Sequence, residues 1–201
     1  MSFFCLLWIP LFYLLRRSIT GGNGSGGVWA LLFGCITAVI QFFLGNIVSP
    51  GGFEFSRWLF GFIEIVSLPV LFPFLFCIIF LLFRWFSEEA DYANFMLLWL
   101  IPVAAMQALS WSSFNDPLLL IAVPLLWTAQ AVGIAFFISL IIKNPRWYIV
   151  IFSILFILIL PLAASSSYWA FFSHQLFRGF MLFSVTMIPL VLSIILHIAK
   201  K

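Results

Sequence analysis

Long apolar runs alternate with short polar or glycine-rich breaks along the whole chain, and this rhythm sets out its organisation. The central run is Arg57 to Trp85. Arg-Trp marks both of its ends, and its interior holds one acid, Glu64, and two prolines four apart, Pro69 and Pro73. It is long enough to cross a bilayer with some tilt, and Arg and Trp are the expected anchors at a membrane interface. Six further runs share this character. Spans are predicted at about 2–15, 28–48, 58–83, 93–110, 117–142, 147–164 and 179–199. The first is short and is stopped by Arg16–Arg17, so six or seven segments cross. The predicted fold class is an all-α polytopic membrane protein: a single integral membrane domain over 1–201, several helices proline-kinked, no soluble domain.

The breaks punctuate this pattern. Ser18–Gly27 reads as a flexible Gly-rich linker. It contains a formal G-x-G-x-x-G over Gly22–Gly27, but that motif carries nucleotide chemistry only between a strand and an amphipathic helix. Ser49–Ser56 is a Pro-Gly turn region, Ser87–Tyr92 the most polar stretch, and Trp111–Asp116 a short turn. Lys143-Asn-Pro-Arg146 is a turn because the residue before proline avoids the helical region. Ser165–Arg178 reads as the longest late connection, able to lie in the interface as a short helix.

Composition sharpens the class. The chain is 65% hydrophobic and 7% charged, with a mean hydropathy of +1.25, whereas soluble domains carry about a quarter charged residues. The net charge of +3 does not point to nucleic acid, because the cations sit singly or in pairs at the ends of apolar runs. With the amino terminus outside and seven crossings, Arg16, Arg17, Arg84, Lys143, Arg146, Lys200 and Lys201 all face the cytoplasm, and only Arg57 and Arg178 lie outside. That is a strong positive-inside bias. The expected location is a bacterial cytoplasmic membrane, and the expected partners are the lipid bilayer and other membrane subunits. Cys5, Cys35 and Cys77 fall inside apolar runs, an odd set that argues against a disulfide framework. The start of the chain has no basic region and no small-residue cleavage site of the kind a signal peptide needs.

Candidate chemistry is sparse. A carboxylate within hydrocarbon is costly, so Glu64 is the first residue to question. At ~1.5 Å per residue it lies roughly 10 Å below the outer interface, and Gln41 falls at about the same depth. Gln107 and Thr186 lie in the outer halves of their segments, and Gln130 nearer the middle. Arg57 shares a helix face with Glu64, two turns away. These six residues form the candidate polar intramembrane site. They describe either a hydrated, proton-titrating cavity or a set of side chains that glue helices together. The prolines of the third segment free the carbonyls of Ile65 and Pro69, which predicts a kink or unwound stretch one turn beyond Glu64. Interrupted helices line substrate sites in many transporters. Ala131–Ala135 and Ala104–Ala108 read as packing faces.

No catalytic, metal or cofactor constellation is present. His174 and His197 lie at opposite ends of the bundle, too far apart to share a zinc or haem. Glu88–Glu89 resembles the paired glutamates of the CAAX-processing type of intramembrane protease, but that pattern needs Arg where this chain has Ala93. A solvated acidic loop pairing with Lys143 and Arg146 is the better reading. Segments two to six, with a polar linker before the fourth and Ile101-Pro102 within it, resemble in rhythm the five-span Yip-type domain. That resemblance implies a non-catalytic membrane scaffold. The two main functional expectations are thus a small transport or permease-like component and a scaffold or assembly subunit. An intramembrane enzyme ranks third. Reporter fusions after the polar stretch 87–92 and after Lys201 should both report cytoplasm; an external signal at either would overturn the orientation.

Overall fold

The computed structural model describes residues 6–20, 26–47, 58–59, 61–62, 69–83, 85–86, 89–109 and 117–198. Among these residues the chain is all-helical. Seven helices follow one another: α1 (Trp8–Thr20), α2 (Gly27–Ile47), α3 (Phe72–Leu82), α4 (Glu89–Leu109), α5 (Pro117–Lys143), α6 (Trp147–Phe172) and α7 (Leu176–Ile198). Stretches of three of them are long and apolar enough to cross a membrane: Pro117–Lys143, Trp147–Phe172 and Leu176–Ile195. Shorter apolar stretches cover Gly27–Ile40, Pro69–Leu82 and Asp91–Met106.

Helix is the local outcome because these runs offer few polar side chains to compete for the backbone, so the backbone satisfies itself. Several boundaries differ from the sequence expectation. α1 continues through Arg16–Arg17 to Thr20. Cations in a last turn favour the helix dipole rather than end the helix. α4 starts at Glu89, inside the expected polar linker. Glu89 and Asp91 suit a first turn, where acids complement the positive end of the dipole. The expected connection Ser165–Arg178 is mostly helix. α6 runs on to Phe172 because nothing between Ser165 and Phe172 breaks it. It then closes in three residues. His174, at φ 58°, is the left-handed residue of the turn. The Gln175 N–H reaches Ala170 O at 2.8 Å and the His174 N–H reaches Phe171 O at 3.0 Å, the Schellman pairing that satisfies terminal carbonyls. In the expected linker Ser18–Gly27, Gly26 takes φ +77° and its carbonyl accepts the Ala30 N–H at 2.9 Å. It therefore starts α2, and the residues between α1 and Gly26 lie outside those described.

In the third segment, a wide π-type turn at residues 69–71 leads into α3, between Pro69 and Pro73. A widened turn is a common answer to a missing proline N–H.

α5 is the centre of the bundle. Of its apolar stretch, 72% is buried inside the protein, against 39% for α6 and 28% for α7. It packs against α4, α6 and α7, while α4 in turn carries α1 and α2 and touches α3. Aromatic rings tie α2, α3 and α4 together: Phe33 stacks on Phe76 at 4.6 Å, Phe76 meets Trp99 at 5.4 Å, and Phe80 meets Phe95 edge-on at 5.1 Å. Small residues set the closest helix approaches. A methyl group at Gly34 would lie 2.8 Å from Trp99 O and 3.2 Å from Pro102 Cγ, bringing α2 down onto α4 at its proline. A methyl at Gly133 would lie 3.0 Å from Leu160 Cδ1 and 3.1 Å from Pro189 Cβ, where α5, α6 and α7 converge.

These contacts lead to a stability prediction. Gly34→Ala forces a methyl against a backbone oxygen that cannot swing aside, and should cost about 1–3 kcal/mol as overpacking. Gly27→Ala meets the mobile end of Leu98, at 3.0 Å, and Asn94 Nδ2 at an ordinary 3.8 Å, and should cost less. Thermal unfolding of the purified variants checks the order; equal losses would refute it.

Candidate functional site

Two of the six sequence-predicted site residues have described side chains, and both are fully buried: Gln130 on α5 and Thr186 on α7. α5, α6 and α7 run up, down and up through two short turns, so α5 and α7 are parallel neighbours. Gly133 and Pro189 meet, and Gln130 and Thr186 each lie three residues earlier, at one level of the bundle. Their polar atoms turn back on their own helices. Gln130 Nε2 donates to Leu126 O at 3.1 Å, and Thr186 Oγ1 to Phe183 O at 2.7 Å. Gln130 Oε1 has no hydrogen-bond partner, which costs about 1–3 kcal/mol for a buried acceptor. Arg57 and Glu64 lie outside the described residues. So do the side chains of Gln41 and Gln107, the pairing proposed for Glu88–Glu89, and the side chain of His197.

The larger polar pattern of this region is one the segment reading missed. Pro124, Pro161 and Pro189 are each followed four residues later by a hydroxyl: Thr128, Ser165 and Ser193. Thr128 Oγ1 donates to Pro124 O at 2.7 Å and Ser165 Oγ to Pro161 O at 2.9 Å. A hydroxyl bonded to the carbonyl one turn back bends a helix, here in the turn directly after the one where proline has removed a ladder bond. The signal was present as Pro-x-x-x-Ser/Thr in three successive segments.

Interhelical polar contacts are few and specific. Pro124 has no N–H for Leu120 O, and the Trp8 indole Nε1 supplies one at 2.9 Å. The same ring meets Trp127 edge-on at 5.4 Å. Arg16 Nε donates to Asn94 Oδ1, and Asn94 is completely buried. Arg16, expected to be a loop cation, is therefore a half-buried interhelical donor. Asn94 begins an apolar run and gave no sign in the sequence of the helix it would face. Ser167 Oγ on α6 donates to Gly179 O on α7 at 3.0 Å.

One apolar groove of about 580 Å³ opens between α1 and α5, lined by residues that include Leu7, Trp8, Leu11, Leu120 and Pro124. No titratable side chain lines it. Among the described residues no group of three or more His, Cys, Asp or Glu could hold a metal ion. Cys35 is exposed, Cys77 is buried, and both are free; Cys5 lies outside the described residues. Chemically, the described core offers back-bonded hydroxyls, one orphaned amide oxygen, two orphaned indole donors, Trp99 Nε1 and Trp127 Nε1, and two orphaned hydroxyls, Ser153 Oγ and Ser173 Oγ. These groups orient and pack. They are not an activated nucleophile or an acid–base pair. No protein-family model, no curated protein and no solved structure matches this chain.

Gln130 distinguishes packing from function. As a packing residue with an unmatched oxygen, it should tolerate Gln130→Leu, which removes the orphan at similar volume. The melting temperature should stay level or rise. A fall beyond the ~0.5–1.5 kcal/mol that the lost Nε2–Leu126 O bond accounts for would show that Oε1 has a partner in solution, such as a bound water or substrate.

Proposed function

We propose that the chain is a multi-pass integral membrane protein, with seven spans and the amino terminus outside, whose role is that of a non-catalytic scaffold or assembly subunit. One observation carries the reading: the bundle is apolar on both its inside and its outside. The core is packed with Trp99, Trp127, Phe95 and Leu126, while α6 and α7 turn Phe152, Leu155, Leu158, Phe177 and Ile188 outward. Water would not tolerate so continuous an exposed surface, whereas hydrocarbon or a partner helix would. The buried hydroxyls of Thr37, Thr128, Ser165 and Thr186 bond to carbonyls of their own helices. That is the arrangement of a framework rather than of a hydrated path.

A transport or permease-like role is the second reading. It is favoured by the orphaned Gln130 Oε1 at the centre of the proline-bent helices. Glu64 discriminates between the two. Glu64→Gln keeps size and hydrogen bonding but removes the charge. In a scaffold it should leave folding and partner binding unchanged; in a proton-coupled carrier it should fold yet abolish pH-dependent function. The direct test is purification of the full chain in mild detergent. A stoichiometric membrane partner is expected. A monodisperse chain without a partner that moves a solute in vesicles would replace the scaffold reading with the carrier.

A further inference from the structure

Residues that weaken a helix meet at one level of the bundle, one from each of α5, α6 and α7. A methyl on Gly133 of α5 would lie 3.0 Å from Leu160 Cδ1 and 3.1 Å from Pro189 Cβ. Pro161 follows Leu160 directly, so Gly133, Pro161 and Pro189 come to the same height, and all three are buried. The prolines remove the ladder bonds to Ile157 O and Val185 O. Glycine weakens its helix by about 1 kcal/mol relative to alanine. The adjoining turns of α6 and α7, on the side of the α6–α7 turn, are altered too. Ser165 Oγ donates to Pro161 O at 2.9 Å and Thr186 Oγ1 to Phe183 O at 2.7 Å, and hydroxyls bonded back in this way bend helices. The supports on the two sides of α5 are unequal. Its other proline, Pro124, is braced by the Trp8 indole on Leu120 O, and α4 packs along it. α6 and α7 instead pack mainly on each other and on α5. They form a hairpin hung on a braced central helix.

We propose that Gly133, Pro161 and Pro189 form a fulcrum on which the α6–α7 hairpin rocks against α5. The close contact at Gly133 stops the helices from approaching further at that height. The weakened turns of α6 and α7 beside it absorb the change in backbone angle, as hinge residues do. A lever on a fulcrum moves its ends in opposite senses, so α7 closes on one end of α5 as it leaves the other. α5 and α7 run parallel with Gly133 beside Pro189. Phe177, near the start of α7, is therefore level with Ile121 on α5, and Ile195, near its end, is about level with Ile142. The seam that opens at the helix starts is the one that holds Gln130 and Thr186, each three residues before the fulcrum.

The test reads two distances on the full chain in mild detergent. With Cys5, Cys35 and Cys77 replaced by serine, spin labels go on exposed positions in pairs: Ile121→Cys with Phe177→Cys at the helix starts, and Ile142→Cys with Ile195→Cys at the helix ends. Electron paramagnetic resonance should show a shorter and a longer separation at each pair. Rocking also requires the fractions to match: the share of molecules long at the starts equals the share short at the ends. Pro161→Ala with Pro189→Ala restores the ladder bonds and should collapse each pair to one separation. Should the double variant fail to fold, each single substitution is read alone and should narrow both pairs. One narrow separation at both pairs in the parent chain would mean a rigid unit. Lengthening at both pairs together would mean a hairpin that detaches, and change at one pair alone would mean a fraying end. Paired separations that persist unaltered in the alanine variants would place the motion elsewhere. Each of these results overturns the fulcrum.

Discussion

The backbone of this chain has to satisfy its own hydrogen bonds. With 7% of residues charged and the hydroxyls of Thr37, Thr128, Ser165 and Thr186 bonded within their own helices, little else is available to receive an unpaired N–H or C=O. Helices meet that demand residue by residue, which is why helix dominates the described structure. The demand is tested at Pro102, Pro124, Pro161 and Pro189, one inside each of α4 to α7. Each proline removes one ladder bond. The clearest repair is at Pro124, where the Trp8 indole crosses from α1 to take the orphaned Leu120 carbonyl. A defect in one helix thus becomes the docking point of another.

Packing then turns on size. α5 can be central because it is buried all round: Ala129, Ala131, Gly133 and Ala135 keep its middle thin, with Leu160 and Pro189 close upon Gly133, and the buried rings of Trp127 and Phe137 flank that stretch. The prolines take part directly, since Pro102 sits against Gly34 and Pro189 against Gly133. A kinked helix presents a shape that only a matching small residue accepts. If the bundle lies in lipid as proposed, this fit carries much of the association, because hydrocarbon surroundings provide no hydrophobic drive between helices. The same packing leaves little room for solvent at Gln130 and Thr186, which favours the framework reading over a hydrated carrier path.

Arg16 and Asn94 show how position changes the meaning of a charge. A cation pair after an apolar run reads as a topology signal, and Arg17, which is exposed, fits that reading. Arg16, one residue earlier, points into the bundle and meets a fully buried amide. Adjacent residues on a helix lie about 100° apart by its 3.6-residue turn, so one of the two can be a surface signal and the other an internal contact. At the α5–α6 turn the opposite holds: Lys143, the last residue of α5, and Arg146, just before α6, both remain at the surface.

The helical class and most helix centres were legible from the sequence, because unbroken apolar runs leave the backbone no other way to satisfy itself. α2 and α5 begin and end within a residue or two of expectation. Termini read from charge alone were wrong: α1 passes through its arginines and α4 starts among its acids, since helix ends tolerate charges that suit their dipole. The expected connection after Ser165 failed for a similar reason, as serines that bond to carbonyls can continue a helix. The polar site was legible only as a list of depths. Which of its members meet depends on rotation about each helix axis and on register between helices, and a single span records neither. An apolar chain that turns to helix over its described residues, punctuated by proline, could be read from the residues alone. Tertiary structure alone decided that Trp8 answers Pro124, that Asn94 answers Arg16 and that Gln130 Oε1 is left unanswered, because each pairing depends on side chains far apart in sequence arriving at the same height and face.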